Sequence, residues 1–177
     1  MREKALMRCR EARLEDAVAV LQLFHKLDVE SDYMLFEPGE RTTTVCEQEA
    51  IIRSFTQDTT KRMFVAEDGQ QICGLCILQG GSLNRNKHVA SLVIGVEKAY
   101  WRSGVGSLLM DTILSIAEAA AITRLELTVH STNARAVKLY QRFGFVIEGE
   151  RRGSINLEGT RVDEYYMARL SPAVASA

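Results

Sequence analysis

The stretch from Val89 to Ala121 constrains the rest of the chain more than any other. Residues Val89 to Val96 are short, apolar and β-branched, the pattern of a strand buried on both faces. From Val105 the period changes. Val105, Leu108, Leu109, Thr112, Ile113, Ile116, Ala117 and Ala120 recur at helical spacing and make one apolar stripe. Between strand and helix runs the turn Trp101, Arg102, Ser103, Gly104, Val105, Gly106. Its glycines remove side chains where the helix begins, so bare backbone N–H groups meet the positive end of the helix dipole. Arg102 adds charge, and Ser103 and Ser107 add hydroxyl donors. The turn reads either as a cradle for a phosphate or pyrophosphate or as a tight connection with nothing bound. No Lys-Ser/Thr pair follows the second glycine, so it is not a P-loop, and without a third glycine it is not a dinucleotide fingerprint.

At 177 residues the chain suits one domain with a sizeable core, taken here as 1–170 with a flexible tail over 171–177. A net charge of −1, with 25% charged residues, argues against nucleic-acid binding driven by overall charge. No apolar run reaches the roughly 20 residues of a membrane span, and the N-terminus carries no signal-peptide core. With no export signal, Cys9, Cys46, Cys73 and Cys76 are expected as reduced thiols in the cytoplasm. Cys73 and Cys76 lie on a strand pattern, where residues three apart point to opposite faces. They read as structural, and no second pair is spaced to complete a zinc site, so no metal is expected.

Taken in order, a first strand is expected near Leu6 to Arg10, then a helix with Leu14, Ala17, Val18, Leu21 and Phe24 inward and His25 flanking them. Residues 28–44 form a long, acidic, aromatic-bearing connection, either a lid or an ordinary loop. A second helix from Val45 to Phe55 turns Ile51, Ile52 and Phe55 inward. Met63 to Glu67 and Gln71 to Leu78 flank Asp68-Gly69 as a hairpin. After a loop over 80–86 and the central strand and helix, Leu125, Leu127 and Val129 alternate with Glu126, Thr128 and His130, a strand polar on one side. A short helix from Asn133 to Arg142 and a hairpin from Phe145 to Leu170, turning near Glu158-Gly159, close the chain. On that short helix Asn133, Val137 and Tyr140 share a face, and Gly144 ends it. Tyr140 is either a packed aromatic beside Phe143 or a functional phenol.

The two stretches together resemble the GNAT superfamily of acyl-CoA-dependent N-acetyltransferases. Trp101 to Gly106 is similar to its Gln/Arg-x-x-Gly-x-Gly/Ala motif. Asn133, Ala136, Leu139, Tyr140, Gly144 and Phe145 match its second motif without exception, and the order of elements from Met7 to Leu170 fits. Two departures stand out: Trp101 occupies the Gln/Arg position, and Val89 to Val96 holds no carboxylate where some relatives carry a Glu base. The resemblance implies an α/β (α+β) domain with a central mixed, largely antiparallel sheet flanked by about four helices. At a finer level Leu125 to Val129, Glu148 to Arg152 and Val162 to Met167 look like small bacterial amino-acid or phosphinothricin-type acetyltransferases.

The implied function is acetyl transfer from acetyl-CoA to a primary amine of a small molecule, directly, with both substrates bound. The implied cofactor contacts are the amides from Arg102 through Ser103, Gly104, Val105 and Gly106 to Ser107 for the pyrophosphate, the backbone of Ile94 and Val96 for the pantetheine, and Asn133. Tyr140 is the implied proton donor to the leaving thiolate. His130, Glu126, a lid carboxylate (Glu30 or Glu37) and ordered water all stand as candidate bases. Alternatives are a protein N-terminal or lysine acetyltransferase and a non-catalytic acyl-CoA-binding module. Relatives imply a homodimer, with no nucleic-acid or membrane partner.

Overall fold

The computed structural model describes residues 7–171; the expectations for Met1 to Leu6 and for 172–177 lie outside the described residues. Among those described are seven β-strands, four α-helices and two short 3-10 turns. They run β1 (Arg8–Glu11), α1 (Ala17–Glu30), α2 (Val45–Gln57), β2 (Lys61–Asp68), β3 (Gln71–Gly80), β4 (Val89–Val96), α3 (Val105–Ala119), β5 (Arg124–His130), α4 (Ala134–Arg142), β6 (Val146–Leu157) and β7 (Thr160–Leu170). The strand order is β1-β2-β3-β4-β5-β7-β6, mixed and mostly antiparallel as expected, with a parallel pair at β4 and β5. No described helix is long and apolar enough to cross a membrane.

The chain forms two compact units. Among the described residues, the first comprises 7–79 and Val93–Ile113. In it β1, β2 and β3 pair antiparallel, Cys9 opposite Ala66 and Phe64 opposite Cys76. The expected Asp68-Gly69 hairpin is present, Gly69 supplying φ +64. One face of β2 and β3 buries Met63, Val65 and Leu75 against Val20, Leu23 and Leu27 of α1 and Ile52 of α2. These positions correct the expected stripes. Leu14 and Val18 are exposed, while Ala17 and Leu21 face inward as expected and Val20, Leu23 and Leu27 join them, because α1 begins at Ala17 after a 3-10 turn over Leu14–Asp16. On α2, Ile51 is exposed and Gln48 is buried instead, while Ile52 faces inward as expected.

Among the described residues, the second unit comprises Gly80–Leu92 and 114–171. Val89 to Ser91 pair parallel with Arg124 to Glu126, β5 pairs antiparallel with β7, and β7 with β6. Leu125, Leu127, Val129, Phe145 and Met167 are buried in it; the alternation expected of β5 holds through Thr128 and breaks at His130, which is buried. The Glu158-Gly159 turn is tight, with φ +47 and +84, the hand that suits a two-residue hairpin. Gly144 (φ +85) ends α4. Gly144 N–H bonds to Gln141 O and Phe145 N–H to Tyr140 O, each at 3.0 Å, the paired bonds of a Schellman ending.

Candidate active site

In the first unit, β4 runs out through Val93, Ile94, Gly95 and Val96 into the 3-10 turn Lys98–Tyr100. The expectation that β4 is buried on both faces is corrected here. Burial alternates along it, and Val93, like Ser91 earlier on the strand, is exposed, so that face is open to solvent. The chain then reverses: Arg102 takes φ +64 and Gly104 φ +96. The left-handed region costs a non-glycine residue about 1 kcal/mol, so Arg102 is held there by its neighbours. A Cβ built on Gly104 meets nothing within 4 Å, so what favours glycine is the backbone angle, and the space above it is free.

Leu108 N–H to Gly104 O, at 3.0 Å, is the first bond of α3. The amides of Val105 and Gly106 therefore precede the first intrahelical donor of α3. Val105 anchors this turn from below. Its side chain is fully buried, and a Cβ on Gly74 would come within 2.9 Å of it, so β3 must be bare there. Ser103 differs from expectation. Its hydroxyl donates to Tyr100 O at 2.6 Å and its amide to the same oxygen at 3.3 Å, so both donors stabilise the turn. Arg102, Ser103 and Gly104 are exposed and Gly106 and Ser107 half-buried, leaving an open turn at the dipole's positive end. Its residues fit an anionic diphosphate.

The second unit carries the other motif. Asn133 is the N-cap of α4 rather than a residue within it, its side-chain oxygen accepting Ala136 N–H at 3.1 Å. That corrects its expected place on the helix face with Val137 and Tyr140. Tyr140 is buried, its ring centroid 5.9 Å from that of Phe145. Burial pushes its phenol up to about 12, so the group is neutral at physiological pH.

The structure thus brings Ile94, Val96 and Arg102 to Ser107 together in the first unit, and Asn133 with Tyr140 in the second. Of the candidate bases, His130 is buried directly opposite Glu164, which accepts from Arg151 at 3.0 Å. Glu126 pairs with Arg124 at 2.8 Å, Glu30 accepts Lys98 N–H at 2.9 Å, and Glu37 is exposed. Two contacts escaped the sequence reading. Arg41 pins the connection after α1 by a bidentate pair with Asp28, and the Trp101 indole reaches back to Val96 O. Both contacts are made by side chains to partners that no periodicity marks.

The profile of the acetyltransferase (GNAT) family matches residues 24–145. The L-amino acid N-acetyltransferase AaaT of Escherichia coli (strain K12) is 39% identical over 87 residues, 49% of this chain and 54% of that protein. The match thus spans about half the length of that curated relative. An acetyltransferase of the GNAT family from Streptococcus pneumoniae is 30% identical and superposes with a TM-score of 0.88, over 93% of this chain and 99% of its own. The fold is also that of yncA from Salmonella typhimurium, solved with its cofactor acetyl-CoA. There the TM-score is 0.84 at 16% identity, with 96% of each chain covered.

Proposed function

The chain belongs to the acetyltransferase (GNAT) family, and we propose that it transfers acetyl from acetyl-CoA to the primary amine of a small molecule such as an amino acid. The observation that carries the reading is the turn at Arg102 and Gly104, which opens at Gly104 onto free space at the positive end of the α3 dipole. The partial relative, an L-amino acid N-acetyltransferase by name, supports the acceptor class.

When bound, acetyl-CoA supplies a thioester open to direct attack by the amine. The chain's own part begins with binding: the amides of Arg102, Gly104, Val105 and Gly106 hold the diphosphate, and the Arg102 guanidinium adds charge. The backbone of Ile94 and Val96 orients the pantetheine as an added strand would, and a backbone N–H near Val96 polarises the carbonyl oxygen. Holding both reactants together provides most of the acceleration. Asn133 steadies the pantetheine while capping α4. Tyr140 holds a proton at its phenol oxygen for the departing sulfur. With a phenol at about 12 and a thiol ordinarily near 8.5, this residue stays protonated while charge builds on sulfur, and acts first as a hydrogen-bond donor. Two copies of the chain associate through the β6 edge, where Val146 and Ile147 are exposed, which light scattering on a sizing column tests.

The test is Tyr140→Phe. Turnover is expected to fall about 100-fold or more, with CoA affinity within about twofold of the parent chain. Unchanged turnover would remove Tyr140 from the role.

A further inference from the structure

The peptide joining Val96 to Glu97 is held at both ends. Its N–H donates to Cys73 O at 3.0 Å, and its carbonyl accepts the indole N–H of Trp101 at 2.8 Å. To make that bond Trp101 folds back over the 3-10 turn Lys98–Tyr100, itself closed by Trp101 N–H to Lys98 O at 3.1 Å. Side chains tie the same segment from outside. The buried Glu97 carboxylate takes the Lys26 ammonium of α1, Glu30 takes Lys98 N–H, and Tyr100 hydroxyl donates to Asp68 at 3.3 Å. The Lys98 ammonium lies 5.8 Å from the indole centroid. The exit from β4 is therefore fixed before any ligand arrives.

An indole has one polar hydrogen, and here it is committed to the protein backbone. The Gln or Arg of the family motif carries several. Position 101 in this chain thus holds a side chain whose donor faces the strand end rather than solvent.

We propose that Trp101 is a positioning residue for the acyl-CoA co-substrate, acting through the Val96 carbonyl. It sets the plane of the Val96–Glu97 peptide, and so the end of β4 along which the pantetheine lies, while the diphosphate is held by the turn from Arg102 onward, with no side-chain donor from position 101. The inference rests on the acetyl-CoA reading above. It also makes Trp101, the single tryptophan of the chain, an internal reporter of binding.

The experiment uses the whole chain with CoA and with ADP, which carries a diphosphate but no pantetheine. Saturating CoA is expected to change the tryptophan emission, at the dissociation constant that calorimetry gives. Trp101→Phe keeps a ring without the N–H; it is expected to weaken CoA about 3- to 10-fold, as loss of one hydrogen bond should, with ADP within about twofold. Unchanged CoA affinity, or a loss shared equally by ADP, would overturn the role. If that variant does not fold, parent-chain emission indifferent to saturating CoA would overturn it instead. A parent chain that gives no calorimetric CoA binding would overturn the acetyl-CoA reading itself, so the two failures are distinguishable.

Discussion

Replacing Arg41 with alanine strands a carboxylate inside the first unit. The Arg41 guanidinium meets Asp28 with two bonds, 2.6 and 3.0 Å, and the side chains are 11% and 2% exposed. Phe24 of α1 and Phe36 of the connection lie against the same guanidinium, with centroids 4.5 and 4.2 Å away. Residues 31–44 are longer than most links between helices; Leu35 within them is largely exposed, while Met34 packs against the core. Arg41 ties down their far end. Removing one partner of a buried ion pair costs about 3–5 kcal/mol, because the other charge stays buried without compensation. For a chain of this size that is a fall in Tm of about 6–20 °C. Arg41→Lys keeps the charge but loses the fork and the stacking, and is expected to cost about 1–2 kcal/mol. In a double-mutant cycle by urea unfolding, Asp28→Asn should recover at least about half of the Arg41→Ala loss. A cost below about 1 kcal/mol for Arg41→Ala, or a coupling energy near zero, would refute the clamp.

Acid should weaken the first unit at the β1–β2 edge. Burial raises the Asp16 carboxyl, but hydrogen bonds from Arg10 and from the Arg13 amide outweigh it and hold the group below its ordinary value; Glu67 is likewise held low by Arg8 and Arg10 against its burial. Their stabilisation is complete above the ordinary carboxyl range near pH 4 and is lost as pH falls through the depressed folded values. Thermal unfolding from pH 7 to 3 should therefore fall less steeply in Arg10→Met than in the parent chain. Asn133→Ala removes the N-cap of α4 and is expected to cost about 1 kcal/mol, with Asn133→Ser or Asn133→Asp restoring most of it, by urea unfolding. Burial pushes the Cys73 thiol up to about 11 and raises Cys76 further, so a thiol reagent at pH 8 should label exposed Cys46 first and leave Cys73 and Cys76 unmodified until the chain unfolds.

The strand–turn–helix from Val89, both hairpins and the ending of α4 were legible because each is written locally, in a change of period or in a glycine at a reversal. Gly69, Gly104, Gly144 and Gly159 all sit at positive φ where the pattern placed turns. Tyr140 was legible as a motif position, not as a buried phenol, since burial depends on Phe145 and the strands around it. On α1 and α2 the expected stripes hold at Ala17, Leu21 and Ile52 and fail at Leu14, Val18 and Ile51, which are hydrophobic and yet face water, because the apolar residues outnumber the buried ones. The uncovered Val93 escaped notice for a related reason, since an all-apolar strand carries no alternation to show which side is open. Arg41 with Asp28, and Trp101 with Val96, were illegible because each joins a side chain to a partner chosen by the fold.

The most direct measurement is release of CoA thiol from acetyl-CoA in the presence of a panel of amines: amino acids, polyamines, aminoglycosides and short peptides. Saturable release with one or more small primary amines, and none with peptides, is the expected result. Release with peptides alone would contradict the small-molecule reading. Tight CoA binding with no release against any amine would contradict catalysis.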